Sequence, residues 1–143
     1  MLDELGWQKL YHRVRIGPGK PVGFGLWQGK PVFCLPGGPS SNHMAFLQLA
    51  LPGPHRLEGR PQPGLPVQEA RLAQPIQGQR GWTQFVGGRL ETGGTVPLFQ
   101  PQRSTSRLLE MAHMEAVVRI PEGTEWLAAG TIVPVQVLEP NLT

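Results

Sequence analysis

Apolar residues along this chain fall in short runs divided by glycine, proline and polar turns. Over residues 10–16 the pattern alternates, with Leu10, His12, Val14 and Ile16 on one side and Tyr11, Arg13 and Arg15 on the other. A period of two predicts a half-buried strand, here with two arginines on its open face. After Gly17-Pro18-Gly19 the alternation resumes over 22–27, where Val22, Phe24 and Leu26 share a side. Residues 32–35 are apolar without interruption, as expected of a strand covered on both faces. Pro36-Gly37-Gly38-Pro39-Ser40-Ser41 breaks that run. Residues 42–51 (NHMAFLQLAL) then combine good helix formers with almost no charge, which predicts a largely buried helix ended by Pro52 and Gly53. Strand, glycine turn and buried helix make half of an α/β unit.

Between Pro52 and Pro66 lie five prolines and three glycines in fifteen residues. Proline fixes φ and removes a donor, so neither helix nor central strand is expected in this stretch. The domain boundary falls in it: residues 1–52 form one part, 53–66 a semi-rigid connector and 67–143 the other part. In the last part, short apolar segments at 68–72, 82–90, 96–99, 116–120 and 132–138 are separated by Gly, Pro and polar turns. Strands so short and so spaced predict a small closed or nearly closed β-barrel. Residues 107–114 carry an ambiguous pattern with room for a helical turn or two. The expected fold class is α/β plus all-β.

Composition changes this picture little. The chain has 143 residues, within the range of one ordinary domain or two small ones, so a single large enzyme core is not expected. Its 19 glycines and 16 prolines approach a low-complexity level, but the discrete apolar runs argue for strands and turns. No three-residue glycine period exists, which excludes collagen. The net charge of +3 is too small an imbalance to argue for nucleic acid, yet it suits a small anionic ligand where the cations cluster. Cys34 is the only cysteine, so no intrachain disulfide can form and nothing points to secretion. Met1-Leu2-Asp3-Glu4-Leu5 does not have the character of a signal peptide, and no apolar run approaches the roughly 18 residues that span a bilayer. A soluble cytoplasmic protein with no nucleic-acid or membrane partner is expected.

Two turns carry the candidate chemistry. Leu35-Pro36-Gly37-Gly38-Pro39-Ser40-Ser41 joins a strand to a helix. Its glycines permit positive φ and close approach of a ligand to the main chain. Pro39 suits the first helical turn, and Ser40 or Ser41 can cap it. Free N–H groups at the positive end of the helix dipole would then attract an anion. The same segment is equally an ordinary strand-to-helix turn whose serines satisfy only backbone donors. Gly17-Pro18-Gly19-Lys20-Pro21 presents a lysine as a point charge for a phosphate or other oxyanion, or else simply a solvated hairpin lysine. Both loops can lie at one edge of the sheet, where α/β folds usually bind ligands.

Other constellations fail. His12, His43, His55 and His113 are scattered and, with one cysteine, give no metal-ligand spacing. His43 reads as a core or capping residue and Cys34 as inert in a buried strand. There is no nucleophile elbow, Walker lysine or dinucleotide fingerprint.

At these residues the sequence resembles the MoeA family, the molybdopterin molybdenumtransferases related to the C-terminal part of gephyrin. Arg15-Ile16-Gly17-Pro18-Gly19-Lys20-Pro21-Val22-Gly23-Phe24-Gly25 is similar to the family's KPGKP turn and phenylalanine-glycine strand. Lys30-Pro31-Val32-Phe33-Cys34-Leu35 and the following Pro36–Ser41 turn are similar to its VFGLPGNPVS segment, in the same order and at a similar distance. Arg119-Ile120-Pro121-Glu122-Gly123 and the segment from Leu127 to Val135 resemble its terminal barrel. The resemblance covers nearly the whole chain but only the last third of the family. It implies the closing half of a molybdopterin-binding α/β domain followed by a small C-terminal barrel. It further implies molybdenum cofactor biosynthesis, with molybdate inserted into adenylylated molybdopterin beside Mg2+.

By that resemblance Gly19, Lys20, Pro36, Gly37, Gly38, Pro39, Ser40 and Ser41 would bind the anionic substrate, while no catalytic residue or metal ligand is assigned. The family's acidic magnesium ligands lie in a portion with no counterpart here, so the chain is not expected to turn over alone. A non-catalytic oxyanion- or pterin-binding or dimerisation module is the alternative. Three departures stand out: Gly17 replaces the first lysine, Gly38 the asparagine, and Ser104-Thr105-Ser106 a glycine-serine-glycine turn. A half-domain leaves apolar surface open, so a homodimer, or partial disorder ahead of the connector, or a partner supplying the missing N-terminal segment is expected.

Overall fold

A computed structural model describes residues 1–103 and 108–138. A 3₁₀ turn at Asp3–Leu5 leads into β1 (Gln8–His12). Then come β2 (Ile16–Gly17), β3 (Gly23–Trp27), β4 (Lys30–Cys34), α1 (Pro39–Ala45), a π-helical turn (Phe46–Ala50) and α2 (Pro52–Leu57). The remainder holds β5 (Val67–Leu72), β6 (Ile76–Gln77), β7 (Thr83–Glu91), β8 (Leu98–Pro101), α3 (Leu108–Ala112), β9 (Ala116–Ile120), β10 (Trp126–Leu127) and β11 (Ile132–Val137).

The all-β expectation holds. Strands β7, β8, β5, β11 and β9 pair in that order, and β9 pairs back with β7, closing a five-stranded barrel. Inward-facing Ala70, Leu72, Phe99, Ala116, Val118, Ile120, Val133 and Val135 fill it, as period-two alternation requires. Pro134 is tolerated because it precedes the β11–β9 ladder, which starts at Val135↔Val118. The β6–β10 ladder, too short to announce itself in sequence, adds Ile76 and Leu127 to this core.

The first part differs from expectation in four places. Residues 10–16 are not one strand: a bulge between Lys9 and Tyr11 reverses the facing, so Leu10 is exposed while Tyr11 packs on Phe24. Arg13, at φ 71°, then ends the strand, and Ile16–Gly17 pairs in parallel with β7 of the barrel instead. Second, β4 is exposed at Lys30 and Pro31 and only half-buried at Val32, Phe33 and Cys34, so it is not covered on both faces. Third, the helix begins at Pro39, widens into a π turn through Leu51 N–H donating to Phe46 O, and restarts as α2. Fourth, α2 lies inside the stretch expected to exclude helix. Pro52, Gly53 and Pro54 all occupy its first turn, where a missing donor costs nothing.

The two parts share a core. Ile16 and Met44 pack with Phe85 and Val117 on the outside of the barrel, and Leu47 and Leu51 pack with Leu65. Buried His55 ties the proline-rich stretch through Nδ1 to Pro63 O at 2.8 Å. The ambiguous segment 107–114 contains α3.

Candidate functional site

The register Gly23↔Cys34 between β3 and β4 fixes the relation of the two turns. Residues preceding Gly23 and residues following Cys34 leave the same end of the three-stranded sheet. The Gly17–Pro21 turn and the Leu35–Gly38 turn therefore both lie toward one sheet end, as the α/β pattern implied. The structure also separates their roles along the helix. A Cβ on Gly19 (φ +114°) would lie 3.4 Å from the Ala45 Cβ, so that turn packs against the C-terminal end of α1. Gly38 stands at the opposite end as the N-cap. Lys20 is exposed.

The glycine corner has a different geometry from the one expected. Gly38 adopts φ −71°, ψ 136°, ordinary extended backbone, and Gly37 is not in the left-handed region either. Neither serine caps the helix: Gly38 is the N-cap, without a side-chain hydrogen bond, and Ser40 and Ser41 are already helical. The corner is held by Asn42, whose Nδ2 donates to Pro36 O at 3.0 Å and whose N–H donates to Gly38 O at 2.8 Å. First-turn amides of Ser40 and Ser41 thus have no intrahelical acceptor. A Cβ on Gly37 would meet nothing within 4 Å, so the chain itself imposes no demand for glycine there.

Ser40 faces elsewhere. With His43, Met44, Gln102, Met111 and Met114 it borders a void of about 10 Å³, room for at most one water. Burial lowers the His43 pKa from its ordinary value. Arg15, adjacent to the lysine turn in sequence, is engaged with Glu122 at 3.0 Å. Gly17 lies against the Trp82 indole. Ser104-Thr105-Ser106 lies outside the described residues. Magnesium requires oxygen ligands, chiefly carboxylates. Among the described residues no three His, Cys, Asp or Glu side chains come together, and the two turns contain no acidic side chain. Among the described residues no group of side chains fits Mg2+.

Sequence reading missed a cleft of about 530 Å³ between the π turn and the barrel wall. Its signal was present in β9, where Arg119 interrupts a strand that is otherwise apolar.

Fold and corner together define a closed-barrel module with a strand–turn–helix unit docked on its outer wall. Residues 69–138 match the family described as MoeA C-terminal region (domain IV). A molybdopterin molybdenumtransferase from Synechococcus elongatus is 34% identical over 142 residues, covering 96% of this chain and 34% of that protein. Molybdopterin molybdenumtransferase 1 from Mycobacterium tuberculosis is 30% identical over 147 residues, with the same coverage. The crystal structure of a molybdopterin biosynthesis MoeA protein from Pyrococcus horikosii superposes with a TM-score of 0.80 at 32% identity, again over 96% of this chain and 34% of that one. The chain belongs to the MoeA family and spans about a third of the length of these relatives. Among the described residues no helix is long and apolar enough to cross a membrane.

Proposed function

We propose that the chain serves molybdenum cofactor biosynthesis as the C-terminal part of a molybdopterin molybdenumtransferase, and that its two turns receive an oxyanion. The observation carrying this is the Gly23↔Cys34 register, which brings Lys20 and the Gly37–Gly38 corner to one sheet end. A tetrahedral oxyanion such as molybdate, or the phosphate of the pterin, suits open main-chain N–H groups and a lysine. Gly19, Pro36 and Pro39 shape the two turns; Gly37 and Gly38 leave room for the ligand; Ser40 and Ser41 offer amides. On this reading the chain is cytoplasmic, takes molybdate and adenylylated molybdopterin as substrates, and depends on a further acidic segment for Mg2+ and turnover.

Half-buried β4 and the apolar groove formed by Leu2, Leu5, Trp7, Trp27 and Val32 support a partner, either a second copy or that segment. The test has two arms. Molybdate titrated into the chain should bind saturably and lose affinity in Lys20→Ala. Molybdenum insertion should appear only when the remaining two thirds of a relative is added in trans. No insertion in either arrangement would defeat the transferase reading. Saturable binding without insertion would leave the binding-module reading.

A further inference from the structure

We infer that the cleft between the π turn and the barrel wall is a second ligand site, for a small organic anion bearing a phosphate or carboxylate group and an apolar body. This goes beyond the proposed function and uses none of its residues. The floor is the outer face of the barrel. The registers Phe85↔Arg119 and Gln136↔Val117 place these side chains on one side of β7, β9 and β11, opposite the core-filling Val118 and Val135. The walls are Val14 to Ile16 and Gln48 with Leu49, and the cleft, open to solvent, measures about 530 Å³. That size falls within the range of clefts that hold small molecules.

The polar groups are unevenly committed, which locates the headgroup. Arg15 is held by Glu122 at 3.0 Å. Gln48 and Gln136 donate to each other's carbonyls at 2.7 and 3.1 Å, fixing the π turn to β11; Gln48 Nε2 also donates to Met44 Sδ at 3.9 Å, so the further N–H is that of Gln136. Arg119 has no carboxylate partner among the described residues, and its planar donor fork matches a carboxylate or phosphate. The headgroup therefore sits at Arg119, and the apolar body lies along Val14, Leu49 and Phe85.

The experiment titrates the full chain with phenyl phosphate, benzoate and inorganic phosphate, followed by heteronuclear NMR. We expect saturable binding of phenyl phosphate or benzoate, with shifts centred on Arg119, Thr83 and Gln48; the tighter of the two identifies the headgroup. Arg119→Ala should weaken binding about tenfold or more, while Lys20→Ala leaves it unchanged, which separates this site from the two turns. Arg119→Gln provides the same comparison should the alanine variant not fold. The inference is overturned if neither organic probe saturates at millimolar concentration. It is equally overturned if both Arg119 variants bind like wild type, or if inorganic phosphate shifts the Arg119, Thr83 and Gln48 signals with the same affinity as phenyl phosphate.

Discussion

The Trp82 indole occupies the space that a side chain on Gly17 would need: a Cβ there would sit 2.6 Å from Nε1. Gly17 pairs with Gln84 in the short parallel ladder that joins the first part to the barrel. The position is thus closed by an aromatic ring. Gly17→Ala should cost about 1–3 kcal/mol through overpacking. The lower end is expected, because Trp82 is 40% exposed and can swing outward. Urea denaturation of Gly17→Ala in wild-type and Trp82→Ala backgrounds checks this: the penalty should shrink when the indole is gone, and equal penalties would refute the contact.

The Gln48–Gln136 pair bridges residues 88 apart in sequence and is part-buried. Removing one partner leaves the other amide short of a hydrogen bond. Gln136→Ala and Gln48→Ala should each destabilise by about 1 kcal/mol. The double variant should lose less than the sum of the two, as a thermodynamic cycle from denaturant melts would show.

The barrel was legible because its strands obey local rules. In β9, Ala116, Val118 and Ile120 face one way with period two, and in β11 Val133 and Val135 do the same. The first part was less legible because tertiary pairing overrides its pattern. Ile16 alternates correctly with Val14, yet its partner is Thr83, 67 positions away, and nothing near Ile16 announces that. The prolines at 52 and 54 read as helix breakers, whereas the first turn of α2 tolerates them. At the candidate site the two turns lie where the strand–turn–helix pattern put them, but the expected side-chain roles did not follow. The serines that seemed to cap α1 lie within it, and neither glycine that seemed to need positive φ adopts it, Gly38 being extended.

Phe99, fully buried, packs over Gly88, and a Cβ on Gly88 would collide with the Phe99 ring and with Gln100 O. The glycine makes room for the ring at the centre of the barrel. Gly88→Ala is expected to destabilise by about 1–3 kcal/mol. Phe99→Ala should cost about 3–5 kcal/mol by leaving a cavity. Thermal melts of both variants measure this, and a neutral Gly88→Ala would show that the contact relaxes.

His43 supplies the pH dependence. Burial lowers its pKa below the ordinary value of 6.5, so the folded state resists a proton that the unfolded chain accepts. Stability from this residue is fully present above the unfolded pKa and is lost as pH falls through it towards the lower folded value. The surrounding Ser40, Met44, Gln102, Met111 and Met114 include no carboxylate that would stabilise the imidazolium. The melting temperature should therefore fall on acidification from about pH 7 to about pH 5. His43→Gln, which keeps a polar side chain but cannot titrate, should flatten that part of the profile. A profile unchanged by His43→Gln would assign the acid sensitivity to another group.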